Sequence, residues 1–101
     1  MDWIEIKKKY SSAYKDFFKY SNKQSPQKYY RGNLFPADEH LYDFFDELEI
    51  FVHCYNTETS KWYWEIDEYG AECIKDYKTR KEAEQVAFLK AFEILENESN
   101  Y

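Results

Sequence analysis

The sequence predicts an α+β fold in which helices cover one face of a three-stranded antiparallel sheet. Three observations carry that expectation. Residues Thr79 to Glu96, TRKEAEQVAFLKAFEILE, repeat apolar side chains at helical spacing. Residues 50–69 instead alternate apolar and polar side chains in two runs separated by a polar stretch. Aromatic residues make up 22% of a 101-residue chain with only two glycines and two prolines, so bulky side chains in regular elements dominate over forced turns. A chain of this length is expected to form one domain with its own core.

In chain order, Asp2 and Glu5 stand where they can cap a helix from about Trp3 to Tyr20. Trp3, Ile6, Tyr10, Ala13, Tyr14 and Phe17 share one face of it. Lys7, Lys8, Lys9, Lys15 and Lys19 lie mostly off that face and read as a solvated basic side. Residues 21–37 contain Pro26, Gly32 and Pro36 and are expected to form the one long loop. Asp38 to Glu49 reads as a short acidic helix with Leu41, Phe44, Phe45 and Leu48 inward.

Ile50 to Tyr55 is the first expected strand, with Ile50, Val52 and Cys54 on one face and Phe51, His53 and Tyr55 on the other. Asn56 to Lys61 is polar enough for a hairpin loop, and Trp62 to Tyr69 sets Trp62, Trp64 and Ile66 against Tyr63, Glu65 and Asp67. A turn at Tyr69-Gly70 leads to a third strand, Ala71 to Tyr77. The long C-terminal helix then opens with a T-x-x-E capping box, Thr79 and Glu82. Ala83, Ala87, Ala91, Ile94 and Leu95 lie on one side, and Val86, Phe88, Leu89 and Phe92 widen the apolar surface. More than one neighbour must therefore cover it. Asn97 and Ser99 are expected to end the helix, leaving residues 97–101 as a frayed tail.

No apolar run approaches the roughly 20 residues of a membrane span, and no signal peptide is visible, so a cytoplasmic protein is expected. Cys54 and Cys73 lack CxxC spacing and read either as two reduced core thiols or as a disulfide between neighbouring strands. His40 with Asp43 or Asp46 reads as part of a solvated acidic face, and neither metal nor cofactor is expected. No nucleophile–base pair is discernible. Adjacent His53 and Cys54 must point to opposite faces of a strand, so a non-enzymatic protein is expected. The outer tyrosines, Tyr63 among them, fit a binding patch and fit equally well cross-strand pairs that stabilise the sheet.

Charge is the property most suggestive of function. The net charge is −6. Residues 1–33 hold eight basic and three acidic side chains, whereas residues 34–101 hold six basic and seventeen acidic ones. Such polarity bears on partners and association rates. The candidate partner-binding residues are Asp43, Asp46 and Glu47 on the acidic helix, with Glu65, Asp67, Glu68 and Tyr63 at the sheet. The alternative, nucleic-acid-binding set read from the residues is Lys28, Tyr29, Tyr30 and Arg31, where bases and aromatics interleave.

Two resemblances extend this reading. The order of elements, together with TRKEAEQVAFLKAFEIL and its basic start and alanine-spaced body, resembles the double-stranded-RNA-binding domain. That resemblance implies that Arg80 and Lys81 grip phosphates. The run LYDFFDELEIFVHCY, the aromatic strands and the ending TRKEAEQVAFLKAFEILE are similar to small uncharacterised proteins of phages and prophage-like elements. This second resemblance implies an anti-CRISPR-like inhibitor in the host cytoplasm. It would occlude a host protein such as a CRISPR effector, or its guide-RNA complex, by offering carboxylates to a basic groove. The alternative is an RNA- or DNA-binding module using the basic N-terminal third or Arg80 and Lys81.

Overall fold

A computed structural model describes residues 1–24 and 38–99. Helices α1 (Trp3–Lys9) and α2 (Ser11–Gln24) are followed by a 3₁₀ turn (Asp38–His40) and α3 (Leu41–Glu47). Strands β1 (Val52–Glu58), β2 (Lys61–Ile66) and β3 (Ala71–Glu72) precede the long helix α4 (Arg80–Ser99). The sheet is antiparallel in the order β1-β2-β3, and α4 packs on β1 and β2. The fold is α+β, as the sequence predicts. Among the described residues, no helix is long and apolar enough to cross a membrane.

The single helix expected from Trp3 to Tyr20 is two helices. Tyr10 leaves helical geometry at φ −128°, ψ 56°, and α2 restarts at Ser11. The first N–H groups of any helix lack partners within it. Here a distant residue supplies one, because the Ala13 N–H donates to Glu96 Oε1 of α4 at 3.0 Å. The apolar face survives the break, with Trp3, Ile6, Ala13, Tyr14 and Phe17 all buried. Helix α2 also runs on to Gln24, into the segment expected to be loop, and buries Ser21.

Helix α3 is shorter than expected, and Leu48 does not face inward: it is 41% exposed. The chain ends α3 with a left-handed residue, Glu49 at φ 60°. The Glu49 N–H donates to Asp46 O (3.0 Å) and the Ile50 N–H to Phe45 O (2.9 Å). This is a Schellman cap, in which the residue after the left-handed position folds back on the helix. Ile50 is fully buried. Leu41, Phe44 and Phe45 point inward as anticipated.

Strand β1 is shifted, beginning at Val52 rather than Ile50 and ending at Glu58 rather than Tyr55. Asn56 and Glu58 pair with Trp62 and Lys61, and a register shift between them marks a bulge. The polar residues read as loop belong to the ladder, and Glu58 and Lys61 bridge the hairpin at 2.8 Å. Strand β2 stops at Ile66 rather than Tyr69, turning through Glu68 (φ 70°) and Gly70 (φ 63°). Strand β3 covers two residues instead of the expected Ala71 to Tyr77. The chain then leaves the sheet and returns at Tyr77, whose N–H and C=O exchange 2.8 Å hydrogen bonds with Trp62. The excursion leaves Ile74 fully exposed.

The inner face, Val52, Trp64 and Ile66, meets a helix whose Ala83, Ala87 and Ala91 are completely buried. Small side chains allow that close approach. Phe88 and Phe92 fill the flanks, so the aromatic stripe of α4 is core. Phe92 meets Phe45 edge-on at 5.1 Å between centroids, and Trp3 stacks on Phe17 at 5.5 Å. At the start of α4 the Thr79 hydroxyl accepts the Glu82 N–H at 3.2 Å. The Glu82 carboxylate reaches Lys78 N–H (3.3 Å), one residue earlier than the expected box requires. Helix α4 continues through Asn97 and Ser99 rather than fraying there. Residues 100–101 lie outside the described chain.

Candidate functional site

Period-two alternation directs one set of strand side chains onto the sheet face opposite α4. Register places Tyr55 opposite Tyr63, His53 opposite Glu65, and Glu65 opposite Glu72. The Tyr55 and Tyr63 rings stack at 5.6 Å with 24° between planes, and Tyr55 remains 43% exposed. The tyrosines are thus a cross-strand pair and an exposed aromatic surface at once. Glu65 and Glu72 set like charges directly across the ladder, a destabilising arrangement in isolation.

Beyond Ile66 the turn into β3 closes a shallow concavity of about 280 Å³ lined by Glu65, Asp67, Glu68, Gly70 and Glu72. His53 Nε2 lies 3.0 Å from Asp67 Oδ2. The Tyr69 hydroxyl donates to Glu98 Oε1 at 2.7 Å. That bond, then burial, then the charges of Glu98, Glu68 and Glu49 push the hydroxyl up to about 12. Burial first, followed by Glu65, Cys73 and Glu72, raises the Tyr55 hydroxyl. The carboxylates around this turn therefore act on one another's neighbours.

Of the expected partner-binding residues, Glu65, Asp67, Glu68 and Tyr63 come together at this face. Asp43, Asp46 and Glu47 are exposed on α3. Burial raises the Tyr20 hydroxyl, with Glu47 and Asp43 adding to it, which places those two carboxylates beside α2. Among the described residues, Asp43, Asp46, Glu47, Glu65, Glu68 and Glu72 form no ion pair. Of the N-terminal lysines, Lys9 is held by Glu5 at 2.7 Å. Glu49, Glu72 and Glu98 join the acidic surface without having been singled out in the sequence. Strand alternation carried the signal for Glu72; a left-handed backbone and a distant helix end brought in the other two.

The nucleic-acid set is dispersed. Arg80 Nε lies 3.7 Å from Glu84 Oε2. Lys81 lines a cavity of about 440 Å³ together with Asp38, Glu39 and Glu84, so carboxylates surround it. The phosphate grip implied by the first resemblance meets acidic neighbours there. Lys28, Tyr29, Tyr30 and Arg31 lie outside the described residues. In the same cavity the Tyr42 ring meets Phe88 edge-on at 4.8 Å, and its buried hydroxyl has no hydrogen-bond partner within bonding geometry. Burial above all, then Glu84 and Cys54, raises that hydroxyl.

His53 is exposed on the outer face and Cys54 half-buried on the inner one, as strand geometry dictates. Cys54 pairs with Trp64 on one side, and the Cys73 N–H donates to Trp64 O on the other. Both thiols are free. Strand β2 lies between them, and the Cys73 Sγ accepts the Trp64 N–H at 3.3 Å. Among the described residues no group of three His, Cys, Asp or Glu side chains is placed to hold a metal ion. Comparison with protein-family models, with curated proteins and with solved structures finds no match. Both resemblances therefore rest on the quoted residues alone.

Proposed function

We propose that this chain is a non-enzymatic binding protein that occludes the basic groove of a nucleic-acid-handling partner, in the manner of a phage-encoded anti-CRISPR inhibitor. The observation that carries the reading is the outer sheet face, where Glu65, Asp67, Glu68 and Glu72 line one concavity beside the exposed Tyr55–Tyr63 stack. A Lys/Arg-rich groove would relieve the Glu65–Glu72 repulsion and gain steering from the surrounding field. Stacked tyrosines supply a rigid apolar anchor at low entropic cost. Asp43, Asp46 and Glu47 extend the acidic surface onto α3.

The test is capture of the partner from the native host by the tagged protein, followed by measurement of its affinity for variants. Changing Glu65, Glu68 and Glu72 together to Lys should weaken binding at least a hundredfold, and Tyr63→Ala about tenfold. Binding untouched by the triple reversal overturns the assignment of this face. Loss on reversing Asp43, Asp46 and Glu47 alone would move the contact to α3. Captured RNA without protein would overturn the reading altogether.

A further inference from the structure

Lys7 of α1 lies over the ring of Tyr14 in α2, with Nζ 5.9 Å from the ring centroid. Tyr14 in turn packs on Phe18 at 6.0 Å, one helical turn further. Lys15 and Lys19 flank Phe18 on the same helix. Together Lys7, Tyr14, Lys15, Phe18 and Lys19 line a groove of about 330 Å³ with an apolar floor and a cationic rim. None of the three lysines forms an ion pair among the described residues, whereas Lys9, Lys61, Arg80 and Lys90 each have a carboxylate. Lys15 and Lys19 are also like charges four residues apart, a spacing that repels along a helix until an anion intervenes.

We propose that this groove binds single-stranded nucleic acid, seating a base on the half-buried Phe18 ring and its flanking phosphates against Lys7, Lys15 and Lys19. A single strand alternates planar rings with anionic groups, and a cationic rim around an aromatic floor matches that alternation. An acidic peptide offers the charge without the rings. A duplex hides its rings in the stack and would need a longer track of cations than three lysines make. The floor is narrow, with Tyr14 buried and Phe18 half-buried, so it seats one base rather than a run. The site is separate from the acidic sheet face and does not depend on the role proposed for it.

Fluorescence anisotropy of the whole protein with a labelled oligouridine of about ten nucleotides, the length range of a short single-strand site, tests this. Binding should weaken with salt at a log–log slope of about −2, as expected for three phosphate contacts on a single strand. Lys7→Glu, Lys15→Glu and Lys19→Glu combined should abolish it, and Lys15→Arg with Lys19→Arg should retain it. Phe18→Leu keeps the apolar volume without the flat ring and should weaken binding about tenfold; circular dichroism checks that the helices persist. No anisotropy change at low salt overturns the proposal, as does binding indifferent to the triple reversal or to Phe18→Leu. Stronger competition by polyglutamate or by phosphatidylserine vesicles than by unlabelled oligouridine also overturns it, reassigning the groove to an acidic protein or lipid surface. Reversal of Glu65, Glu68 and Glu72 should leave oligouridine binding intact or strengthen it, and its loss in that variant would count against the site.

Discussion

Phe92 stands where three other rings meet, with centroids 5.9 Å from Trp3, 5.9 Å from Phe17 and 5.1 Å from Phe45. Its side chain is completely buried. Phe92→Ala should cost about 3–5 kcal/mol, since the cavity adds to the lost transfer energy, and urea denaturation would register it as a lower midpoint. Tyr69 makes a different prediction, one of pH. Its hydroxyl ionises near 12 in the folded protein against an ordinary 10. The stabilisation is fully present below pH 10. It is lost between about pH 10 and 12, where the unfolded chain has ionised and the folded one still holds its proton. Tyr69→Phe should flatten the alkaline fall in stability over that window, as followed by thermal melts at stepped pH. An unchanged alkaline slope would mean that the bond to Glu98 contributes nothing.

At the scale of elements, the cap of α3 and the break between α1 and α2 explain where sequence reading succeeds and stops. The inner faces of β1 and β2 were legible because period-two alternation is a local property, and Val52, Trp64 and Ile66 are buried as it requires. The alanine face of α4 was legible for the same reason at helical period. The exposure of Leu48 was not, because it follows from a left-handed Glu49, a geometry that glutamate composition does not announce. Glycine adopts that geometry without the steric cost of a Cβ. Glu49→Gly should therefore raise stability by about 1 kcal/mol, measured by chemical denaturation, while leaving Ile50 buried. The break at Tyr10 was unreadable for another reason: the acceptor for the Ala13 N–H comes from Glu96. The short β3 was missed because Cys73, Ile74 and Tyr77 are strand-favouring residues, yet the chain leaves the ladder between Glu72 and Tyr77. The outer-face candidates Tyr63, Glu65, Asp67 and Glu68 were legible from alternation and charge.

For the whole molecule, charge and stability are set against each other. Residues 34–101 carry seventeen carboxylates and six basic groups. Some of those carboxylates are placed where they repel, as Glu65 and Glu72 do across the ladder. A sheet selected for stability alone would pair one of them with a cation. Glu72→Lys should accordingly stabilise the fold by about 0.2–1 kcal/mol while weakening the proposed partner contact. Melting temperature and partner affinity should thus move in opposite directions in this variant. If both rise, or both fall, the acidic face is not held for binding. The polarity also separates the two surfaces: the basic groove lies on α1 and α2, and the acidic concavity at the β2–β3 turn.

The bond from Ala13 to Glu96 spans 83 residues, and Trp3 likewise rests its ring on Phe92. A ribosome releases the first of these partners long before it has translated the second. The nascent N-terminal helices must wait, their aromatic sides uncovered, until the closing helix emerges to receive them. Folding of this domain therefore waits on the emergence of α4, and the interval before it is when a chaperone has the most to shield.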